Sequence, residues 1–299
     1  MDPYLTDWLN LLLRWLHVVA GIAWIGASFY FIYLDLSLRP PRRRADEERG
    51  VGGELWAVHG GGFYHTQKYR VAPEVLPEPL HWFKWEAYTT WLSGFALFVV
   101  LYYVNAETYL VSRQVADIGK WTAIGASVGL LALAWVVYDF LCRALGRDDR
   151  ALGVALVLFV VGAAYVSSQL FAGRAAFLQV GAMLGTMMAG NVLFNIIPAH
   201  RELVRAKVAG REPDPTPGIR AKQRSVHNNY LTLPVVFTMV SNHFPLAYGH
   251  ERAWLVLLAF MTIGAWVRHF FNLRHRGKNA WWILVTAAVA LVALAFAIR

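Results

Sequence analysis

The sequence contains a single cysteine, Cys142. One cysteine excludes an internal disulfide, a CxxC metal site and a CxxCH site of covalent haem attachment. Charge is also scarce, because only 16% of the 299 residues are Asp, Glu, Lys or Arg, whereas 57% are hydrophobic. This composition is typical of a polytopic membrane protein. Any cofactor must therefore be held without a cysteine linkage.

The charged residues are unevenly distributed, with 28 Lys and Arg against 19 Asp and Glu and a net charge of +9. The basic residues lie between apolar runs and do not form a soluble basic face, so the lipid bilayer, and not nucleic acid, is the predicted partner. Residues 2–7 contain no Lys or Arg, and the apolar run that follows is too long for a signal-peptide core. We therefore expect a retained transmembrane helix and no cleaved leader.

Eight apolar windows predict an all-α fold, a polytopic membrane bundle of about eight transmembrane helices. The odd-numbered loops between them contain 20 Lys and Arg residues and the even-numbered loops contain 3. By the positive-inside rule the odd loops are cytoplasmic and both termini are periplasmic. We expect one integral-membrane domain over residues 1–299 in the bacterial inner membrane, with cytoplasmic loops at about 37–81 and 201–226. The windows fall at about 9–36, 82–105, 118–142, 151–171, 175–200, 227–246, 252–273 and 280–298.

A polar stripe runs along the first window, because successive residues of an α-helix advance by about 100°. This stripe is predicted to face the bundle, and an ionisable His17 at membrane depth is a functional candidate. Two interpretations are open. His17 can ligate haem iron, with the missing side chain of Gly21 leaving room for the macrocycle, or it can simply bond to a neighbouring helix. The stripe comprises Arg14, His17, Gly21, Trp24, Ser28 and Asp35.

The second predicted ligand of a b-type haem is His243, which lies in the sixth window at a depth comparable to that of His17. In the simpler interpretation His243 only marks the membrane interface. His269 is the reserve ligand for an inner haem, since it shares a stripe with Trp266 and Asn272.

Polar residues are concentrated at the predicted cytoplasmic ends of the windows, where Asn, His, Tyr and Glu exceed what interfacial anchoring requires. We expect them to form a ligand pocket that opens to the cytoplasm. The HGGGF run lacks the Lys and Ser/Thr of a phosphate-binding P-loop, so a flexible lid is the preferred interpretation.

Five stretches of the sequence are more specific than ordinary transmembrane sequence: RWLHVVAGIAWIGASFYF, HGGGFYHTQKYRVAPEVLPEPLHWFKWEAYTTWLSGF, NVLFNIIPAHRELV, RSVHNNYLTLPVVFTMVSNHFP and RHFFNLRHRG. Together they resemble the membrane domain of the membrane-bound urate hydroxylases, also called urate oxidase N-terminal domain proteins. The resemblance extends from Trp15 to about Trp282. The first window is also similar to the haem-binding helices of bacterial membrane protoporphyrinogen oxidases and related small b-type proteins.

The resemblance implies oxidation of urate to 5-hydroxyisourate in purine breakdown, with electrons passing to a cytochrome c type acceptor. Many members of the family carry a cytochrome c domain after the last helix, whereas this sequence stops at Arg299. We expect either a separate cytochrome c, a domain missing from this sequence, or another periplasmic acceptor. The sequence gives no indication of the oligomeric state.

Urate is a flat, anionic purine, so its site requires amides for the ring edges, a cation, an aromatic face and a base. The predicted bases are His227 and Glu86, followed by His200 and His81. The predicted substrate-binding residues are Asn195, Asn228, Asn229, Tyr230, Arg201, Tyr64 and Lys68.

Two other functions are open at this level. A urate or purine transporter would use the same pocket without redox chemistry, and its polar path would continue to the outside through Ser168, Gln169 and Gln179. A haem-containing redox protein would act on another substrate, such as a porphyrinogen.

Overall fold

The structure, a computed structural model, describes residues 2–299 and is dominated by helix. The helices are α1 (Pro3–Ser37), α2 (Arg44–Glu48), α3 (Trp85–Phe98), α4 (Ala106–Tyr109), α5 (Lys120–Leu145), α6 (Asp149–Leu170), α7 (Gly173–Gly190), α8 (Ile197–Val208), α9 (Thr216–Val240), α10 (Pro245–Tyr248), α11 (Ala253–His275) and α12 (Trp282–Ala297). Two π-helical turns, Val99–Tyr103 and Asn191–Ile196, extend α3 and join α7 to α8.

Each of the eight predicted windows contains a long helix, namely α1, α3, α5, α6, α7, α9, α11 or α12. The predicted helical class is therefore confirmed. Five helical segments are long and apolar enough to cross a membrane: Pro3–Ser37, Lys120–Leu145, Asp149–Leu170, Gly173–Val208 and Ala253–His275. The total of eight spans stays a prediction.

The α7 helix lies at the centre of the bundle. In its segment, 61% of the most apolar stretch is buried, against 28% or less in the other four. The peripheral helices instead turn large apolar side chains outward, as α12 does with Val289 and Phe296, which are 63% and 71% exposed. Such a belt of exposed apolar side chains fits a lipid-facing surface.

The four loops that are rich in Lys and Arg gather at one end of the bundle. We call it the hairpin end, because the first of these loops contains a β-hairpin. This gathering agrees with the positive-inside pattern, although the side of the membrane that it faces stays a prediction. Three contacts join the helix ends beside these loops: Ser37 to the carbonyl of His275 at 3.3 Å, Gln223 to the carbonyl of Gly146 at 3.0 Å, and Lys222 to Asp35 at 3.7 Å.

An antiparallel β-hairpin lies in the first loop, where the sequence predicted a flexible lid at the HGGGF run. It pairs β1 (Val51–His59) with β2 (Gly62–Tyr69). His59 is opposite Gly62, so Gly60 and Gly61 form the two-residue turn with φ angles of 57° and 81°. Two-residue hairpin turns require positive φ, which glycine adopts at low cost. The HGGGF run is therefore the tip of a hairpin.

The helix that corresponds to the sixth window is shifted toward the N-terminus relative to that window. Helix α9 begins at Thr216, within the predicted loop of residues 201–226, and it ends at Val240. His243 follows in the short turn Ser241–His243 and is exposed. The prediction that His243 lies inside the sixth helix is therefore wrong.

Close packing of α7 on α9 depends on Gly181. A Cβ atom at this position would lie 1.9 Å from Thr238 Oγ1, whereas one at Gly185 would meet nothing within 4 Å. Thr238 cannot easily move, because its hydroxyl donates to the carbonyl of Val235 at 2.7 Å.

We expect Gly181→Ala to lower the free energy of unfolding by about 1 to 3 kcal/mol through overpacking. Gly185→Ala is the matched control on the same helix, and its improved helix propensity should leave stability unchanged or raise it by up to about 1 kcal/mol. Thermal unfolding in detergent measures both. Equal unfolding temperatures would contradict the packing argument.

Candidate functional site

A cavity of about 1010 Å³ opens at the hairpin end. Its walls come from α1, strand β2, residues 81–86, helix α8 and the first half of α9. This volume is at the upper end of the range for small-molecule sites. The cavity lies where the sequence predicted a polar pocket, and we call it the hairpin-end cavity.

The α1 wall includes Trp24, Ser28, Phe31 and Asp35, which follow one another at helical spacing. Three of them belong to the predicted inward stripe, so that part of the prediction is confirmed. Arg14 was also predicted to face the bundle, but its side chain is exposed. Within residues 2–299 its guanidinium bonds only to Asn10 of its own helix, at 3.1 Å.

Three of the predicted bases line the cavity. Glu86 lies in the first turn of α3, His81 precedes that helix, and His200 lies on α8. The ring of His81 packs edge-on against Phe83, with 4.5 Å between the ring centroids. The fold thus brings to one cavity titratable groups that are more than 100 residues apart in sequence.

The base predicted first, His227, is directed elsewhere. Its Nδ1 atom is 2.8 Å from the hydroxyl of Tyr138 and 3.9 Å from Sγ of Cys142, both on α5. The next residue, Asn228, lines the cavity instead. Adjacent helical residues differ by about 100°, so only one of the two can face it.

Two of the seven predicted substrate-binding residues, Lys68 and Asn228, line the cavity. Three of the others have different partners: Asn195 donates to Asp139 at 3.5 Å, Asn229 to Asn272 at 3.1 Å, and the Tyr230 hydroxyl is 2.7 Å from His269 Nδ1. Arg201 and Tyr64 also lie outside the cavity wall, and Tyr64, near the hairpin tip, is 53% exposed.

The side-chain amide of Asn228 is held in one orientation. Its Nδ2 donates to the carbonyl of Met188 at 3.0 Å, and its Oδ1 accepts from Asn191 at 2.8 Å. Asn191 begins the π-helical turn after α7 and also donates to Tyr138 at 2.8 Å. An Asn amide has two N–H donors and two oxygen lone pairs, so one of each is left for a ligand.

Behind this amide network lies an ion pair that the sequence reasoning missed. Asp139 of α5 accepts from Arg224 of α9 at 2.8 Å and from Arg143 at 2.6 Å. The Arg224 side chain is only 5% exposed, and its guanidinium lies 5.0 Å from the centroid of the Tyr138 ring. A signal was present in the sequence, because a carboxylate inside an apolar window is by default a functional candidate.

The hairpin is attached to the bundle through its base. Arg39 and Glu54 exchange backbone hydrogen bonds of 2.9 and 2.8 Å, and the Glu54 carboxylate is 2.8 Å from His65 Nε2. Close by, a hydrogen bond from Arg49 holds the pKa of the Asp46 carboxyl below its usual value. Strand β2 is thereby fixed along the cavity.

His17 lies against α3. Its Nδ1 is 3.0 Å from the carbonyl of Thr90 and therefore carries the proton, since a carbonyl only accepts. A Cβ at Gly94 would be 2.7 Å from His17 Cε1, and one at Gly21 would be 3.9 Å from Thr90 Cγ2. Gly21 thus lies at ordinary contact distance from α3, the room for a macrocycle there stays a prediction, and His17 Nε2 has no hydrogen-bond partner within residues 2–299.

The other predicted haem ligands are not brought to His17 by any contact. His243 is exposed in its turn, and His269 is stacked on Trp266 with 5.7 Å between centroids. Residues 2–299 contain no cluster of three or more His, Cys, Asp or Glu side chains that could hold a metal ion. A haem held by two histidines needs no such cluster, so this site stays a prediction, and the structure fixes only the ring orientation of His17.

The residues of the polar path expected of a transporter have partners inside the protein. Gln179 is buried and bonds to Ser127 at 2.6 and 3.0 Å. Within residues 2–299, Ser168 donates to the carbonyl of Tyr165 on its own helix and Gln169 bonds only to Ser168, and the path itself stays a prediction.

The bundle and its cavity define a class, that of helical proteins with membrane-type helices and one polar ligand cavity at an end of the bundle. Within this class the chain belongs to the urate oxidase N-terminal family, whose sequence model matches residues 3–299. Comparisons with curated proteins and with solved structures gave no significant match. The family links the protein to urate and oxidation.

The two arginines on Asp139 provide a test of the buried ion pair. We expect Arg224→Met to lower the free energy of unfolding by about 3 kcal/mol, because it removes the buried partner of a largely desolvated carboxylate. Arg143→Met is the control on the same carboxylate. Its side chain is 73% exposed, so its loss should change stability by about 0.5 kcal/mol or less. Denaturant or thermal unfolding would reveal the contrast, and equal losses would contradict it.

Proposed function

We propose that the protein oxidises urate to 5-hydroxyisourate in the hairpin-end cavity and passes the electrons to a cytochrome c type acceptor, within the bacterial inner membrane. The observation that supports this most is the combination of aromatic rings, a fixed amide, cations and a carboxylate on the walls of one cavity. The family to which the chain belongs supplies the substrate.

The cavity offers each contact that a flat anionic purine requires. Trp24, Trp82 and Phe31 supply faces for stacking, and Asn228 supplies one donor and one acceptor for a ring edge. Lys68 adds positive charge on the hairpin side. Purely apolar walls would bind neutral rings as well as anionic ones, so these polar groups provide the selectivity for an anionic purine.

The reaction adds the oxygen of water to a ring carbon of urate and releases two electrons and two protons. A base within reach of the substrate must accept a proton, and Glu86, His200 and His81 are the candidates that the cavity contains. Glu86 is preferred because it lies in the first turn of α3, close in sequence to Trp82 and Phe83, which form an aromatic wall of the same cavity.

We expect Glu86→Gln to lower kcat for urate by about a hundredfold or more, because the amide keeps the shape but cannot accept the proton. The measurement is anaerobic reduction of oxidised cytochrome c by urate with the purified protein in detergent.

The control is Glu74→Gln, which removes a carboxylate from an exposed position in the loop that precedes α3. It should leave turnover unchanged. Unchanged turnover in Glu86→Gln would remove Glu86 as the base and leave the two histidines.

A b-type haem stays part of this proposal as a non-covalent cofactor near His17. A histidine that ligates a metal through one ring nitrogen usually donates a hydrogen bond from the other, and the contact of His17 Nδ1 with the Thr90 carbonyl has this form. Such a haem would supply one-electron acceptance between substrate and cytochrome. The second ligand is not identified among His243 and His269.

We expect the purified protein to show a b-type haem spectrum that is reduced by urate under argon, and His17→Ala to lose it. His59→Ala, at the exposed hairpin tip, is the control and should retain the spectrum. A colourless protein that still oxidises urate would contradict the haem and leave the urate reaction standing. Full haem content in His17→Ala would exclude His17 as a ligand.

A further inference from the structure

One carboxylate at the edge of the hairpin-end cavity has two lysine partners. Asp35, near the end of α1, is bonded by Lys68 of strand β2 through Oδ1, and Lys222 of α9 lies 3.7 Å from Oδ2. All three side chains line the cavity. We call this set the Asp35 cluster. Three separate segments of the chain thus meet at a single negative charge.

The Asp35 cluster carries one positive charge in excess. The other basic residue on the cavity wall, Arg70, is compensated by Glu47 at 3.2 Å. Lys222 is held less tightly than Lys68, because 3.7 Å exceeds ordinary hydrogen-bond length. Its side chain is 59% exposed and retains donors for another partner.

On the same wall Glu86 has no ion-pair partner within residues 2–299. The cavity therefore presents a free hydrogen-bond acceptor, Glu86, and a loosely held cation, Lys222. A flat heterocycle with an acidic N–H on one edge and delocalised negative charge on another can bond to both groups. A neutral purine can bond to Glu86 but has no negative charge for Lys222, so the site distinguishes ligands by their charge.

We propose that the Asp35 cluster is the anion-recognition subsite of the cavity and that Lys222 is its principal contact with an oxopurine anion such as urate. This assignment rests on the proposed function of the cavity as a urate site. Lys222 binds the anionic edge, while Lys68 stays on Asp35 and keeps β2 against α1. The sequence reasoning had placed positive charge for the substrate at Arg201 or Lys68, and Arg201 lies outside the cavity wall.

The test compares urate binding and turnover in four proteins: wild type, Lys222→Met, Asp35→Asn and the control Lys278→Met. Lys278 is an exposed lysine in the loop between α11 and α12 at the hairpin end, so its removal changes the net charge equally. Equilibrium dialysis with urate and with the neutral purine hypoxanthine gives the dissociation constants, and cytochrome c reduction gives kcat and KM.

We expect Lys222→Met to raise the dissociation constant for urate about tenfold, as for the loss of one partly exposed charge-assisted contact. Hypoxanthine binding and kcat should change less than about twofold, since the contact is equal in the ground and transition states. Asp35→Asn should tighten urate binding, because both lysines lose their compensating charge. Lys278→Met should match wild type.

The outcomes separate the subsite from the reaction. Two results would overturn the subsite and leave the function intact, provided that wild type oxidises urate. In one, Lys222→Met binds urate as wild type does; in the other, Asp35→Asn binds urate more weakly than wild type. Equal loss in Lys278→Met would also overturn it, because the effect would then reflect net charge alone. Wild type that binds urate with the expected dependence on Lys222 but reduces no acceptor would contradict the proposed function and support the subsite.

Discussion

The pairing of Asp139 with Arg224 is the interaction on which the inner architecture of the hairpin end depends. A carboxylate in an apolar bundle must be paired or become neutral, and here the partner is Arg224 of α9, 85 residues further along the chain. The same guanidinium lies against the Tyr138 ring, and the Tyr138 hydroxyl accepts from Asn191. Through Asn191 the network reaches Asn228 on the cavity wall. A buried charge pair thus fixes the orientation of a group available to the ligand.

This arrangement explains why the cavity lies at one end of the bundle. The central helix α7 is densely packed against α9 along its length, as the approach of Gly181 to Thr238 shows. Beyond the π-helical turn at Asn191–Ile196, α8 takes over, and the space between α8, α9 and α1 becomes the cavity. A π-helical turn changes the rotation of the side chains that follow it, and such turns are frequent at functional sites. Here the turn begins with the Asn that holds Asn228.

The sequence predicted the features that depend on local periodicity. The helix windows, the inward stripe from Trp24 to Asp35 and the polar character of one end all follow from hydrophobic spacing and loop charge. It did not predict which helices are neighbours, and for this reason His227 and Asn228 were both assigned to the pocket, although the two adjacent residues face different partners. The hairpin was missed because the HGGGF run was interpreted as flexible, whereas glycines with positive φ mark a tight turn.

Charge balance connects the two polar centres of the hairpin end. At Asp139 one carboxylate lies between two arginines, and at Asp35 one lies between two lysines. Each centre is therefore positive, and the basic loops around them add charge of the same sign. Because like charges in a low-dielectric region reinforce one another, an anion gains more by entering from this end than any single contact would suggest. For the urate anion of the proposed function this field acts at the entrance of the cavity, and Lys222, the lysine that Asp35 holds less closely, is the cation available inside it.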